Sequence, residues 1–341
     1  MKITTIGIDL AKEVFQIHGV DEYGKIVLRK QFRRNNVIKF FANLEPCLIG
    51  MEACGSSHHW ARKFVEFGHT VKLMAPQFVK PYVKTNKNDM TDAEAICEAV
   101  SRPNMRFVPI KNVEQQAILS VHRARQGMVK ARTAQANQIR GLLSEFGIVI
   151  ALGVHSINKR VPDILEDAEN GLPGAMRHLL KRLNNHLKEL GRQVEELELQ
   201  IKLWHKENEA SQKLETIPGI GPITASAIVA TIGNAREFKN GRQLAAWLGL
   251  VPRQHSSGGK HILCGISKRG DRYLRTLLIH GARAVIRYAA HKEIPNSWLE
   301  KILARRNKNV VAVALANKNA RIIWSMLTTN TLFKPGFMTT R

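Results

Sequence analysis

The sequence predicts an α/β N-terminal region, an α-helical coiled-coil middle and a mainly α C-terminal region. Three observations predict it. Short apolar runs alternate with amphipathic stretches up to about residue 108, as in a mixed sheet covered by helices. Further on, apolar residues recur in unbroken steps of four and three, as a coiled-coil seam requires. From about residue 213, helical stretches are separated by glycine turns. A chain of 341 residues with 44% hydrophobic composition suits two or three domains.

Residues 1–108 justify the α/β reading in order. KITTIGIDL is a strand, and VFQIHGVDEYGKIVLRKQF alternates about a turn at Glu22, Tyr23 and Gly24, as a hairpin does. NVIKFFANL is helical and CLIGME a buried strand. SSHHWARKFVEFG reads as a helix with Ser56 or Ser57 as N-cap and Gly68 past its end. TVKLMA is a strand stopped by Pro76, and TDAEAICEAVS is a helix.

Residues 109–212 form the helical region. Its first long helix, over about 112 to 147, has basic exposed positions at Arg123, Arg125, Lys130, Arg132 and Arg140. An irregular segment is expected to about 172. The second long helix carries Met176, Leu180, Leu183, Leu187, Leu190, Val194, Leu197, Ile201 and Trp204 at heptad spacing. Its partner is either the first long helix or another subunit.

Residues 213–328 form the third region, and 329–341 a loose tail. LETIPGIGPITASAIVATIG resembles a helix-hairpin-helix, whose glycine turn (Gly219, Gly221) can present backbone N–H groups to a phosphate. A plain structural turn is the competing reading. After it come a helix, the glycine-rich loop QHSSGGK, and a basic turn with Lys268, Arg269 and Arg272 leading into a helix. Position at a helix start makes those three plausible DNA-phosphate contacts.

Charge narrows the function classes. Lys plus Arg is 52 against 28 Asp plus Glu, a formal net charge of +24, so a polyanion such as nucleic acid is the expected partner. Only 6% of residues are aromatic, which favours backbone contacts over a base-stacking platform. No apolar run is long enough to span a bilayer, and the chain reads as soluble and cytoplasmic. Cys47, Cys54, Cys97 and Cys264 form no C-x-x-C pair and no zinc spacing, so they read as reduced thiols.

The chemistry is expected where apolar runs end on acids. Asp9 closes one strand and Glu52 another; on neighbouring strands they would share one crevice. Carboxylates that close repel unless a cation sits between them. Asp89 and Asp92, three apart at a helix start, can face one side. Four hard oxygen donors suit Mg²⁺ or Mn²⁺, and two such ions can clamp a phosphoryl transfer. Glu94 and Glu98 read as a solvated face.

Together, IGIDLAK, LIGMEACG, KNDMTDAEAI, IPGIGPITASAIVATIG, LAAWLGLVPRQHSSGGK and GISKRGDRYLR resemble a DEDD-type insertion-sequence transposase. The family is the one called IS-one-ten, and NDMTDAEAI is similar to its IS-eleven-eleven branch. The resemblance runs from about residue 3 to 325. It implies a RuvC-like domain of RNase H fold, a coiled-coil middle and a C-terminal transposase domain. It also implies that Asp9, Glu52, Asp89 and Asp92 hold the metal, and that Ser257, which precedes Gly258, is the nucleophile that forms a transient phosphoserine with DNA. Ser256 competes for that role. Partners implied are donor and target DNA and a noncoding bridge RNA, with Arg123, Arg125, Lys130 and Arg132 as RNA-contact candidates. The implied assembly is a homo-oligomer, dimer to tetramer, with serine and acids of one site from different subunits. Guidance by base pairing would suit a basic chain that lacks a groove-reading module. Other readings are a metal-only junction-resolving nuclease with a structural serine, a non-catalytic nucleic-acid scaffold and an actin-like ATPase. The last needs a glycine-rich phosphate loop that GIDLAKEV lacks.

Overall fold

The computed structural model describes residues 2–84, 88–289 and 298–333. Two compact units divide the chain, Met1–Glu114 and Gln115–Arg341.

The first unit is a mixed α/β sheet covered by helices, as a RuvC-like domain requires. Strands β1 (Thr5–Leu10), β2 (Val14–Val20) and β3 (Ile26–Arg33) form an antiparallel meander. Helix α1 (Arg34–Ala42) follows, then β4 (Leu48–Glu52), α2 (Ser57–Glu66) and β5 (Thr70–Met74). Next come the short α3 (Pro76–Val79), α4 (Asp89–Val100) and the two-residue strand β6 (Phe107–Val108). The sheet order is β3-β2-β1-β4-β5-β6, with β1, β4 and β5 parallel.

Side-chain alternation assigns the two faces. Ile6, Ile8, Ile49, Met51, Val71 and Leu73 point to the face covered by α1 and α2, packing with Phe41, Trp60 and Phe64. Met74, at the end of β5, packs with Val79, Ile96, Ala99 and Val100 against α3 and α4 on the other face. Ser56 does occupy the N-cap of α2, but its side chain makes no capping bond there. The Ser57 hydroxyl instead donates to the Cys54 carbonyl at 2.9 Å.

Among the described residues, the second unit is helical apart from one hairpin. Helix α5 (Val113–Ser144) has 32 residues and α7 (Gly174–Glu207) has 34. Between them the expected irregular segment is in fact partly a 13-residue helix, α6 (Val154–Glu166). Ile157, Val161 and Ile164 recur at helical spacing and are buried; Pro162 inside the helix obscures that periodicity.

Ala136, Ile139 and Leu143 of α5 share a buried cluster with Met176, Leu180 and Leu187 of α7. Ile118 and Leu119, from the opposite end of α5, share another with Ile201. The two long helices therefore run antiparallel, and the Arg125–Glu198 ion pair crosses between them at 2.6 Å. The first long helix is thus a partner of the seam within the chain.

Next come α8 (Glu209–Glu215), α9 (Pro222–Ile232) and α10 (Gly241–Trp247). The segment expected to be a glycine-rich loop is instead an antiparallel hairpin, β7 (Pro252–Ser257) with β8 (Lys260–Ile266). Gly258 and Gly259 both have positive φ, +55° and +77°, as a two-residue type I′ turn demands. Helices α11 (Arg272–Ala289), α12 (Trp298–Leu303) and α13 (Lys308–Thr329) complete the unit around Leu274, Leu278, Leu315 and Ile323. Of the expected tail, residues 334–341 lie outside the described residues.

Candidate active site

The first unit gathers the predicted acids around α4. Strands β1 and β4 are parallel with Gly7 opposite Gly50 and Ile8 opposite Met51. Asp9 and Glu52 are the next residues in register, at the carboxyl ends of adjacent strands. Alternation puts them on the same face as Gly7 and Gly50.

That face is the one against α4. A Cβ on Gly7 would lie 2.2 Å from the Ala93 carbonyl oxygen, and one on Gly50 would lie 2.7 Å from Val100 Cβ. The two glycines let the helix lie directly on the backbone of both strands. Gly7 meets Ala93 and Cys97, while the Cys97 thiol lies 3.8 Å from the Thr5 carbonyl. As β1 advances, α4 runs backwards, so the helix start lies at the acid end of the strands.

Asp89 and Asp92 continue the stripe of Ala93, Ile96, Cys97 and Val100 that α4 turns toward the sheet. From the Gly7–Ala93 contact, Asp9 lies about 7 Å along the strand and Asp89 about 6 Å back along the helix. The two therefore stand near one level. Asn88 and Thr91 form a capping box, which fixes the helix start that carries both aspartates.

Electrostatics at Cys54 link the strand acids. Burial first, and then the carboxylates of Glu52 and Asp9, push the Cys54 thiol above its ordinary pKa. One exposed side chain thus senses both charges. Glu94 and Glu98 face elsewhere: Glu94 pairs with Arg29 and Lys84, and Glu98 with Lys84 and Arg102. The Arg102 and Lys84 hydrogen bonds hold Glu98 below its ordinary pKa. Glu94 and Glu98 are thus half-buried and ion-paired instead of simply solvated.

The chemistry of the four acids, all oxygen donors at one sheet end, fits a hard divalent cation. Among the described residues, no three His, Cys, Asp or Glu side chains already converge on one ion position. Asp9, Glu52, Asp89 and Asp92 are the residues that could hold such an ion.

The second unit carries the serine. Ser257 is the last residue of β7, opposite Lys260, with Gly258 and Gly259 turning beyond it. The hairpin is exposed along β7. The Ser256 hydroxyl accepts a 2.8 Å hydrogen bond from the Gln254 side-chain amide, on the other face of the strand. Ser257 sits on the His255 and Lys260 side, and its hydroxyl has no hydrogen-bond partner among the described residues.

Behind the hairpin, exposed Lys268, Arg269 and Arg272 mark the start of α11. Asp271 caps that helix through the Leu274 N–H at 2.9 Å. Gly219 has φ +87°, and its Cβ position lies 2.7 Å from the Gly281 carbonyl, so this glycine serves close packing against α11. Nothing lies within 4 Å of the Cβ position of Gly221, at the N-cap of α9. On α5, Arg123 and Lys130 are exposed and Arg132 is half-buried, whereas Arg125 is held by Glu198.

Sequence reasoning passed over Gly7 and Gly50, although the signal was present. Both strands read glycine, apolar residue, acid: Gly7-Ile8-Asp9 and Gly50-Met51-Glu52. It also passed over His122, buried on α5, whose ring nitrogens meet the Tyr273 hydroxyl and the Ser226 hydroxyl, each at 3.1 Å.

Comparison with known proteins agrees with this layout. The family model described as "Transposase IS116/IS110/IS902 family" matches residues 211–296, and a DEDD-type IS110 "Transposase" model matches residues 6–148. A "Probable family 20 transposase" of Pseudomonas aeruginosa is 54% identical over 98% of this chain and 100% of its own length. The "Transposase for insertion sequence element IS1111A" of Coxiella burnetii is 45% identical over 98% of this chain and 92% of its own. The "Transposase for insertion sequence element IS1328" of Yersinia enterocolitica is 45% identical over 97% and 98%. The chain belongs to the IS116/IS110/IS902 transposase family and is an insertion-sequence DNA transposase.

Proposed function

We propose that this transposase excises and inserts its own element by metal-dependent strand exchange through a phosphoserine at Ser257. The observation that carries the reading is the pair of strand-end acids beneath the start of α4, together with a second serine candidate already engaged by Gln254. Asp9, Glu52, Asp89 and Asp92 would hold Mg²⁺ or Mn²⁺. Bound there, the ion would supply charge stabilisation for the phosphoryl group being transferred.

The chain's own residues do the rest. The Ser257 oxygen attacks the scissile phosphorus; an O–P bond forms while the bond to one deoxyribose oxygen breaks, and that oxygen leaves with a proton. The serine proton passes to solvent or to a neighbouring base. Attack by a deoxyribose oxygen of the other strand reverses the step and restores the hydroxyl. A serine needs activation at neutral pH, and Lys260 lies opposite it across the hairpin. Lys268, Arg269 and Arg272 are assigned to DNA phosphates. Gly219 and Gly221 belong to a helix-hairpin-helix that contacts phosphate through the open Gly221 end. Arg123, Lys130 and Arg132 of α5 are assigned to a bridge RNA that supplies sequence choice. The working form is a homo-oligomer.

The test is a cell assay on the whole element with its flanks, scoring the excised circular junction. Ser257→Ala and Asp9→Ala are each expected to abolish the junction, while Ser256→Ala keeps it. Circles formed by Ser257→Ala would refute the covalent step.

A further inference from the structure

The second unit contains a cavity of about 1250 Å³ that the strand-exchange reading leaves unused. One wall is the base of the serine hairpin, including Leu263 and Cys264; the others come from α10, α12 and α13. Its charge is one-sided. Arg242, Arg306, Lys318 and Arg321 line it, and among the described residues no Asp or Glu does. Arg242, Arg306 and Arg321 are exposed and make no side-chain ion pair or hydrogen bond among the described residues.

The cavity is also aromatic where the chain as a whole is not. Two of the five tryptophans, Trp298 and Trp324, line it. Lys318 Nζ stands 4.6 Å from the centre of the Trp298 ring. Burial, and then the neighbouring Arg321 guanidinium, lower the Lys318 pKa, as expected where positive charge is crowded.

Three arginines with no acid paired to them among the described residues call for a polyanion, and tryptophan faces with an aliphatic floor call for bases out of their stack. The volume exceeds the ~300–1,000 Å³ of an ordinary small-molecule pocket, which suits several linked nucleotides better than one. We propose that this cavity binds a strand-separated stretch of the DNA flanking the scissile phosphate, phosphates on the three arginines and bases against the tryptophans. This assignment to flanking DNA rests on the Ser257 reading. From Pro252 at the cavity wall to Ser257, five residue steps of extended strand cover about 17 Å, so the bound stretch lies within a few nucleotides of the cleavage point.

The test uses the full-length protein and a fluorescein-labelled 15-mer of oligothymidylate, with anisotropy read across a salt series. Arg306→Ala/Arg321→Ala is expected to weaken binding and to flatten the log–log salt slope by about 1.4, two contacts at about 0.7 each. Lys181→Ala/Arg182→Ala, which removes the same charge from an exposed stretch of α7, should leave the slope unchanged. The oligonucleotide should quench tryptophan emission, and Trp298→Phe should remove part of that quenching. Ser257→Ala should bind like wild type, so a failed serine mechanism and a failed cavity assignment give different results.

Four outcomes would overturn the proposal: an unchanged slope in the arginine variant, equal flattening in the α7 control, unaltered quenching in Trp298→Phe, or equal binding of duplex DNA with the same arginine dependence. Tighter binding of oligouridylate would overturn it in favour of RNA. Circular dichroism and the melting temperature verify that each variant is folded.

Discussion

A methyl group at Gly7 would be driven to 2.2 Å from the Ala93 carbonyl oxygen, closer than any van der Waals contact. Neither the strand nor α4 can give way without moving the helix start that carries Asp89 and Asp92. Overpacking of this kind costs about 1–3 kcal/mol or more. Gly7→Ala is therefore expected to lower the melting temperature by several degrees and to abolish junction formation; a normal melt with normal excision would refute the close approach. At His122 the consequence is a pH dependence. Burial, and then Arg125, lower its pKa to about 4. The unfolded chain takes up a proton near pH 6.5. The folded ring resists protonation until about pH 4. Between those values the unfolded state binds more protons, so stability falls as the solution is acidified, by at most about 3 kcal/mol. His122→Gln should flatten the melting temperature over that window, measured by calorimetry from pH 7 to pH 4. A parallel decline in the variant would show that other groups dominate.

At the scale of elements, the hairpin β7–β8 and the helix α4 do different work. The hairpin is exposed, so its geometry comes from its turn and its ladder more than from core packing. Gly258 at φ +55° is strained by about 1–2 kcal/mol for most other residues. Gly258→Val should cut the excised junction at least tenfold while leaving the global melt in place. Gly258→Asn, which tolerates a left-handed backbone, should retain most activity. Equal loss in both would mean that the turn geometry is not what positions Ser257. In α4, capping by Asn88 and packing on two glycines bring a D-x-x-D pair to the carboxyl ends of β1 and β4.

At the scale of the whole molecule, the net charge of +24 and the divalent-metal chemistry expected of a DEDD domain predict separable behaviour. Chelation of divalent ions should abolish strand cleavage while leaving DNA binding in a gel-shift assay intact, because the basic surfaces need no metal. Raising the salt should do the reverse, weakening binding steeply. Loss of binding on chelation would place the metal in folding instead of chemistry. No helix among the described residues is long and apolar enough to cross a membrane.

The sequence by itself determined the parts whose signal is local. The strands carrying Asp9 and Glu52, a helix start close to Asp89 and Asp92, the hairpin turn near Gly24 and the long helix from Met176 were all legible, because period and capping are written in neighbouring residues. The exposed β7–β8 ladder was not. A polar segment with two glycines reads as loop until its two sides are seen to pair. Helix α6 was hidden by Pro162, whose local penalty is outweighed by burial of Ile157, Val161 and Ile164. Only the tertiary structure decided why Gly7 and Gly50 are glycine, which face holds the acids, that α5 partners the seam within the chain, and that four cations and two tryptophans from separate elements enclose one cavity. Each depends on residues far apart in the chain meeting, which no window of sequence contains.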